Sequence, residues 1–327
     1  MKIEPVMSEI DVEVQDVAST NFVYYTTVNV PNRDDPFLSY EKGEDKKGKV
    51  IETCVLFVDI RDSVALTDKH KHQTMGRVYT AFTKAVLKVA KYHGGHVRNI
   101  IGDRVMVVFP VENCFKNAVD CAVSINHIAS KIINQRFNVN FKCGIGIAYG
   151  KLRVIKVGIQ RRGAEHSENK GLIWVGKPAN YASRITDMAN KRIEEELVEI
   201  KYHPRNPRSI RSSIFPNVGI FGSLYDPNAS PFLTRIDTKT ITKEEFVNKL
   251  SDFNDNSFNF SDGKLITSKK IKRIVQFPSI LVSKPVMDGL KRDDPSRASL
   301  KKDLWKKIDF QFKNMGEDVF GADLIWI

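Results

Sequence analysis

The sequence predicts an α+β fold of the split βαβ, ferredoxin-like kind, because its apolar segments follow the order strand, helix, strand, strand, helix, strand. The first strand is the near-continuous apolar run Thr53–Ile60, and the last is Val139–Ala148. Between them, two amphipathic helices, Met75–Tyr92 and Asn113–Ile133, flank a hairpin that turns at Gly102-Asp103. This order predicts one mixed sheet with both helices packed against it.

Each of these elements has a local reason in the sequence. The run TCVLFVDI has the length and continuity of a strand that is buried on both faces. The first helix repeats apolar residues at helical spacing and stops at Gly94-Gly95. A two-residue turn joins the hairpin strands. Gly144 and Gly146 alternate along the last strand, which predicts that another segment approaches its backbone closely.

The rest of the chain is predicted to add to this core. Residues 1–48 form an N-terminal extension with a strand and a polar linker, and residues 49–191 form the core itself. Between 192 and 277 the pattern changes to a charged helix, Pro and Gly breakers and an Asn/Ser/Asp-rich tract, which predicts a large insertion. Residues 278–327 return to apolar runs and complete the core with a last strand and helix.

Composition limits the possible functions. The net charge is +12 and 42% of residues are hydrophobic, as in a globular protein with a sizeable core. No apolar run reaches the ~18 residues of a membrane span, and the acidic N-terminus is unlike a signal peptide, so we expect a cytoplasmic protein. The four cysteines lack zinc spacing and are expected to be buried thiols. The basic stretches lack interleaved aromatic residues, so no stable nucleic-acid complex is expected.

Two carboxylates are expected at one end of the sheet. Asp59 ends the first strand and Asp103 occupies the turn of the adjacent hairpin. Two neighbouring carboxylates repel unless a cation lies between them, and Mg²⁺ prefers oxygen ligands that it shares with substrate phosphates. Taken singly, Asp103 could be only a turn residue and Asp59 only a helix cap.

A second pair of polar residues follows in the segment NYASR. Asn180 and Arg184 are four residues apart, so they share one face of a helix. An amide and a guanidinium one turn apart suit a ribose and a phosphoryl group, because Arg offers a fixed fork of donors to developing negative charge. The alternative is an exposed stripe with only a structural role.

Three segments together resemble the catalytic domain of class III nucleotide cyclases: VLFVDIRDSV, RNIIGDRVMVVF and VGKPANYASRI, in this order and at similar spacing. The resemblance covers about 50–190 directly and resumes at 279–327, where SILVSKPVMDGL is similar to the family's late strand and helix. It implies the cyclase fold with a large insertion before the last strand-helix segment. It also implies a homodimer in which each active site is shared between two subunits.

The resemblance implies roles for single residues as well. Asp59 and Asp103, with the backbone carbonyl of Ile60, would hold two Mg²⁺ or Mn²⁺ ions per site. Asn180 would orient the ribose of a nucleoside triphosphate, and Arg184 would stabilise charge on the transferred phosphorus. The expected products are a 3′,5′-cyclic nucleotide and pyrophosphate.

The residues at the two base-selecting positions of the family are Asn99 and Ile173. Neither the adenine pair nor the guanine pair is present, and an amide can match the Watson–Crick edge of a pyrimidine. The chain is most similar to the Pycsar cyclases, which implies cyclic UMP or cyclic CMP synthesis in antiviral defence, with a separate cyclic-nucleotide-binding effector. UTP and CTP remain equally open, because an amide flip serves either base.

Two departures from the family pattern leave alternatives open. Asp62 stands where the family has glycine, and Val319–Gly321 stands where its late triphosphate lysine falls. Arg61 and Ser63 are therefore expected to help bind phosphates, and lysines of the insertion or the metal ions are the alternatives for offsetting the phosphate charge. The alternatives are a purine cyclase with an atypical base pocket and a catalytically silent cyclase-like module that binds nucleotide.

Overall fold

The structure, a computed structural model, describes residues 3–41, 43–161, 164–209, 228–253 and 257–327. The chain divides into two compact units. The first unit is Met1–Lys191 with Gln276–Ile327, and the second is Arg192–Val275. Within the described ranges, none of the helices combines the length and the apolar character that crossing a bilayer requires.

The helices within the described ranges are α1 (Glu4–Ser19), α2 (Ser63–Lys69), α3 (His72–Tyr92), α4 (Cys114–His127), α5 (Asn134–Phe137), α6 (Lys177–Met188), α7 (Lys243–Asn248), α8 (Lys284–Asp293) and α9 (Ala298–Lys301). A π-helical segment, Ile128–Ile133, joins α4 to α5. All of them except α7 belong to the first unit.

The strands within the described ranges are β1 (Phe22–Thr26), β2 (Lys46–Ile60), β3 (His96–Ile101), β4 (Arg104–Val108), β5 (Cys143–Arg161), β6 (Ala164–Val175), β7 (Arg192–Pro204), β8 (Asp237–Thr242), β9 (Leu250–Phe253), β10 (Ser257–Phe260), β11 (Gly263–Gln276), β12 (Ile280–Ser283), β13 (Lys306–Lys307) and β14 (Val319–Ala322). The order β2, α3, β3, β4, α4, β5 confirms the predicted split βαβ fold.

The first unit is built on a large mixed sheet. Among the described residues it has nine strands, in the order β13-β14-β12-β5-β2-β4-β3, with β1 beside β2 and β6 beside β5. The central strand β2 is antiparallel to β4 and β5 and parallel to β1, and Val58 lies opposite Val105 of β4 and Ile145 of β5. Continuing this register by one residue brings Asp59 opposite Arg104, the residue after Asp103.

The two faces of this sheet are covered differently. On one face, buried side chains of β2, β4 and β5 pack against α3 and α4, with Phe82 and Ile125 almost fully buried between them. On the opposite face, Val55, Met106 and Ala148 pack against α6. Helix α6 can come this close because β5 has glycines there: a Cβ on Gly146 would lie 2.5 Å from the carbonyl oxygen of Ala182. Helix α6 is therefore the segment that was predicted to approach the backbone of β5 at Gly144 and Gly146.

Three local predictions were wrong. The N-terminal extension contains a helix, α1, in addition to its strand. The strand predicted at Val139–Ala148 is instead the much longer β5, Cys143–Arg161, which pairs with both β2 and β6. The charged helix expected after residue 192 is the strand β7, which belongs to a five-stranded sheet of the described residues in the order β8-β7-β11-β10-β9.

Candidate active site

The two predicted metal-binding carboxylates come from the same end of the β2–β4 pair. Asp59 is the last but one residue of β2, and Asp103 occupies the β3–β4 turn, where Gly102 has a φ of +61°. That φ lies in the left-handed region, which favours glycine. The Asp103 side chain is half-buried and forms no ion pair with any residue that the structure describes. Its carboxylate oxygens therefore remain open to a ligand.

Asp59 is held by two arginines. Its side chain is 14% exposed, and its Oδ2 atom accepts a hydrogen bond of 2.8 Å from Arg104 and one of 3.4 Å from Arg61. Arg104 also donates to Ser183 Oγ at 2.9 Å and contacts Asp187, both on α6. Burial lowers the pKa of Arg104, but the hydrogen bonds and negative charges of Asp59 and Asp187 outweigh burial and raise it. This guanidinium therefore stays charged and links the Asp59 carboxylate to α6.

Asn180 and Arg184 lie on the exposed face of α6. The opposite face of the helix is buried against the sheet through Ala182, Ile185 and their neighbours. Arg184 donates to the backbone carbonyls of Lys313 and Asn314 at 3.2 and 3.0 Å. These two bonds hold the guanidinium in place without neutralising it, because carbonyl groups carry no net charge.

The donor set at the sheet end fits hard divalent cations. Carboxylate and carbonyl oxygens are the ligands that Mg²⁺ and Mn²⁺ prefer, and Asp59, Asp103 and the Ile60 carbonyl supply them. Both arginines contact Oδ2 of Asp59, so Oδ1 is the oxygen that faces no donor from the described part of the chain. A cation at Oδ1 does not need to displace Arg61.

Comparison with known proteins identifies the family. Residues 46–193 match the family model of the adenylate and guanylate cyclase catalytic domain. A uridylate cyclase from Burkholderia cepacia is 30% identical over 171 residues, which cover 50% of this chain and 70% of that protein. The chain belongs to the class III nucleotide cyclase family. As a cyclase it is an enzyme, and the predicted resemblance is confirmed.

Two further similarities accompany this cyclase assignment. A uridylate cyclase from Xanthomonas perforans is 31% identical over 145 residues, which cover 42% of this chain and 60% of that protein. Among solved structures, the adenylyl cyclase CyaB from P. aeruginosa matches with a TM-score of 0.44 and 14% identity, over 84% of this chain and 95% of that one.

The structure separates the two predicted base-selecting residues of this cyclase. Asn99 pairs with Met106, so it lies on the face of the sheet that α6 covers. It lines a pocket of about 370 Å³ together with Leu172 of β6. Ile173 is the next residue along β6, so its side chain points to the opposite face, where it is 45% exposed. The structure therefore places Leu172, and not Ile173, beside Asn99 in this pocket.

The two residues predicted to help with phosphates have other surroundings. The Arg61 guanidinium is buried and donates to the carbonyls of Thr186 and Ala189 at the end of α6, the second at 2.7 Å. Burial is the main cause that lowers its pKa. Ser63 begins α2 and is half-buried. Arg61 therefore ties the end of α6 to the end of β2.

Asp62 fills the glycine position of the family in a conformation that suits glycine. Its φ of +53° lies in the left-handed region, which Asp and Asn enter at lower cost than most residues. The side chain makes no capping hydrogen bond to α2. Asp62 therefore does not cap α2, and its exposed carboxylate adds negative charge near Asp59.

Sequence reasoning missed Arg104. The signal available was its position directly after Asp103 at the start of an antiparallel strand. Residues opposite each other in such a pair share a face, so the hairpin register could have placed Arg104 beside Asp59. Its hydrogen bonds to Ser183 and Asp187 depend on how α6 packs against the sheet, and local sequence patterns do not predict that packing.

Replacing Arg61 tests its structural role. We expect Arg61→Ala to lower the free energy of unfolding by about 2–4 kcal/mol, because removing a buried charged donor leaves its carbonyl and carboxylate partners unsatisfied. Urea unfolding followed by circular dichroism measures this loss, with Arg136→Ala, at an exposed position on α5, as the matched control. An unchanged stability with a raised KM for nucleotide would instead assign Arg61 to phosphate binding.

Proposed function

We propose that the protein is a pyrimidine nucleotide cyclase that converts UTP or CTP to the 3′,5′-cyclic monophosphate and pyrophosphate. The observation that carries the proposal is the placement of four residues. Asp59 and Asp103 lie at the same end of the β2–β4 pair, and Asn180 and Arg184 are exposed on α6, which covers one face of that pair. The similarity to two uridylate cyclases and the absence of both purine-selecting pairs support a pyrimidine substrate.

The reaction closes a ring within the nucleotide. The ribose 3′-oxygen forms a bond to the α-phosphorus, the bond from that phosphorus to pyrophosphate breaks, and the 3′-hydroxyl proton is released. Two Mg²⁺ or Mn²⁺ ions, bound by Asp59, Asp103 and the Ile60 carbonyl, would lower the pKa of the hydroxyl and offset the triphosphate charge.

The residues of α6 orient the nucleotide and stabilise its charge. Asn180 binds the ribose through its amide, which fixes the sugar relative to the phosphorus. Arg184 donates its fork of N–H groups to the oxygens of the α-phosphoryl group as their negative charge increases. Because two backbone carbonyls already hold this guanidinium, little reorganisation is needed when the charge develops.

The active sites are shared between two copies of the chain. The exposed face of α6 carries Asn180 and Arg184, while Asp59 of the same chain is linked to that helix through Arg104. A second copy can present its own carboxylates to this exposed face. One chain contains all four residues, so a symmetric homodimer has two equivalent sites.

The expected cellular role is second-messenger synthesis. A cyclic pyrimidine nucleotide would activate a separate effector with a cyclic-nucleotide-binding domain, as part of antiviral defence in the cytoplasm. This role rests on the resemblance to the Pycsar cyclases.

Product analysis tests the proposed function directly. The purified protein is incubated with Mn²⁺ and each of the four ribonucleoside triphosphates, and the products are identified by mass spectrometry. We expect cyclic UMP or cyclic CMP from the pyrimidine substrates and no cyclic purine nucleotide. Cyclic AMP or cyclic GMP as the sole product would contradict the pyrimidine assignment, and no cyclic product at all would indicate a silent nucleotide-binding module.

A further inference from the structure

The pocket beside Asn99 is completed by the N-terminal extension. Its lining residues are Asn32, Arg33, Val97, Arg98, Asn99, Gly171 and Leu172. The first two come from the segment Val30–Leu38, which lies outside the part of the chain that matches the cyclase family model. The cyclase core therefore supplies only part of this pocket.

The segment Val30–Leu38 is firmly attached to the first unit. Its two end residues are buried in the core cluster on the α6 face of the sheet. Asp35 forms an ion pair of 2.5 Å with Lys49 of β2, and Asp34 forms one of 3.2 Å with Lys170 of β6. Arg33 is therefore carried by an anchored loop rather than by a free terminus.

The polar lining of the pocket is rich in hydrogen-bond donors. Arg33 is exposed and forms no ion pair or hydrogen bond with any residue that the structure describes. Arg98 donates to the Val30 carbonyl at 3.3 Å, but its Nε atom is buried and finds no partner within the described ranges. No carboxylate lines the pocket, so its two positive charges favour a ligand that is rich in acceptors.

We infer that this pocket binds the uracil ring of UTP and that Arg33 donates a hydrogen bond to the ring oxygen O4. Uracil presents the acceptors O2 and O4 on either side of the N3–H donor. The Asn99 amide can accept from N3–H and donate to O2, and a guanidinium, which only donates, suits O4. Leu172, which packs on the same face of the sheet as Asn99, offers apolar contact to the ring.

The same chemistry selects against cytosine. Cytosine has an amino group at position 4, where uracil has an oxygen. That amino group is a hydrogen-bond donor and would face the Arg33 guanidinium, which is also a donor. A binding site that leaves polar groups unpaired rejects the wrong ligand strongly. This inference rests on the proposed cyclase function and narrows its substrate from pyrimidines to UTP.

Arg33→Ala tests the inference, with Arg77→Ala, at an exposed position on α3, as the matched control. We expect Arg33→Ala to raise KM for UTP about 10- to 100-fold, to change kcat less than about 3-fold, and to leave CTP kinetics almost unaltered, because one hydrogen bond to substrate is lost. The UTP preference over CTP then falls by the same factor. Unchanged UTP kinetics in this variant, with an active wild-type enzyme, would overturn the inference and leave the proposed function intact.

Binding without catalysis separates the two proposals. Calorimetry in EDTA compares uridine, which has no phosphate, with inorganic tripolyphosphate for the wild type and for Arg33→Ala. We expect the variant to lose uridine affinity and to keep that for tripolyphosphate, and this arm decides the inference even if the wild type forms no cyclic product. Lost tripolyphosphate affinity with unaltered uridine binding would make the pocket a phosphate site and overturn the base assignment.

Discussion

Asp103→Asn is expected to reduce kcat for cyclic nucleotide formation on the order of 1,000-fold or more, because metal ions contribute several kcal/mol to the stabilisation of transferred phosphoryl groups. The substitution removes one of two carboxylates and replaces it with a neutral amide of the same shape. Asp103 lies in a turn and forms no ion pair with the described residues, so the fold is expected to remain intact. Initial rates with Mn²⁺ and UTP measure the loss.

Two additional measurements make this result specific. Calorimetric titration with Mn²⁺ in the presence of a non-hydrolysable nucleotide is expected to show fewer bound ions for Asp103→Asn than for the wild type. Asp11→Asn, an exposed aspartate on α1, should change neither quantity. Full activity in Asp103→Asn would remove this residue from the metal site.

Arg184→Ala is expected to reduce kcat about 100- to 1,000-fold with little change in KM, as for the loss of a donor that acts mainly on transition-state charge. The guanidinium is exposed and bonded only to two backbone carbonyls among the described residues, so it is available to a substrate. Steady-state kinetics over a range of UTP concentrations separate kcat from KM.

The conservative variant distinguishes charge from geometry at this position. Arg184→Lys keeps the positive charge but lacks the planar fork, so only partial recovery of kcat is expected. A merely structural role predicts a different pattern: a lower melting temperature for Arg184→Ala, with an unaltered kcat for the folded fraction. That pattern would exclude Arg184 from the reaction.

The core of the first unit could be predicted because its strands and helices carry strong apolar patterns. Thr53–Ile60 is apolar on both faces and is indeed buried by helices on both sides of the sheet. The helix α1 could not be predicted in this way, because it buries no side chain and contains several valines, which are weak helix formers.

Strand β7 shows why the second unit was harder to predict. Its three consecutive glutamates favour a helix by intrinsic propensity. In the structure Glu194 pairs with Lys272 at 2.7 Å and Glu195 with Arg273 at 2.7 Å, both from β11. These cross-strand contacts are distant in sequence, so local patterns do not reveal them.

The positions of site residues were predictable where a sequence motif also determines where in a strand, turn or helix the residue lies. The structure places Asp59 and Asp103 at one end of the sheet and exposes Asn180 and Arg184, as expected from strand ends and helical spacing. The surroundings of Arg61 and Ile173 were not predictable. Arg61 is buried because the end of α6 packs against it. Ile173 points away from Asn99 because side chains alternate between the two faces of β6.

Mixed dimers test the shared active site most directly. Co-expression of Asp103→Asn and Arg184→Ala chains with different tags allows the mixed dimer to be purified, and it should retain about half of wild-type activity, because one of its two sites has all four residues intact. A dimer of one wild-type chain and one chain carrying both substitutions should be inactive. The reverse result, an inactive first dimer and a half-active second, would show that each site lies within one chain and would contradict the account.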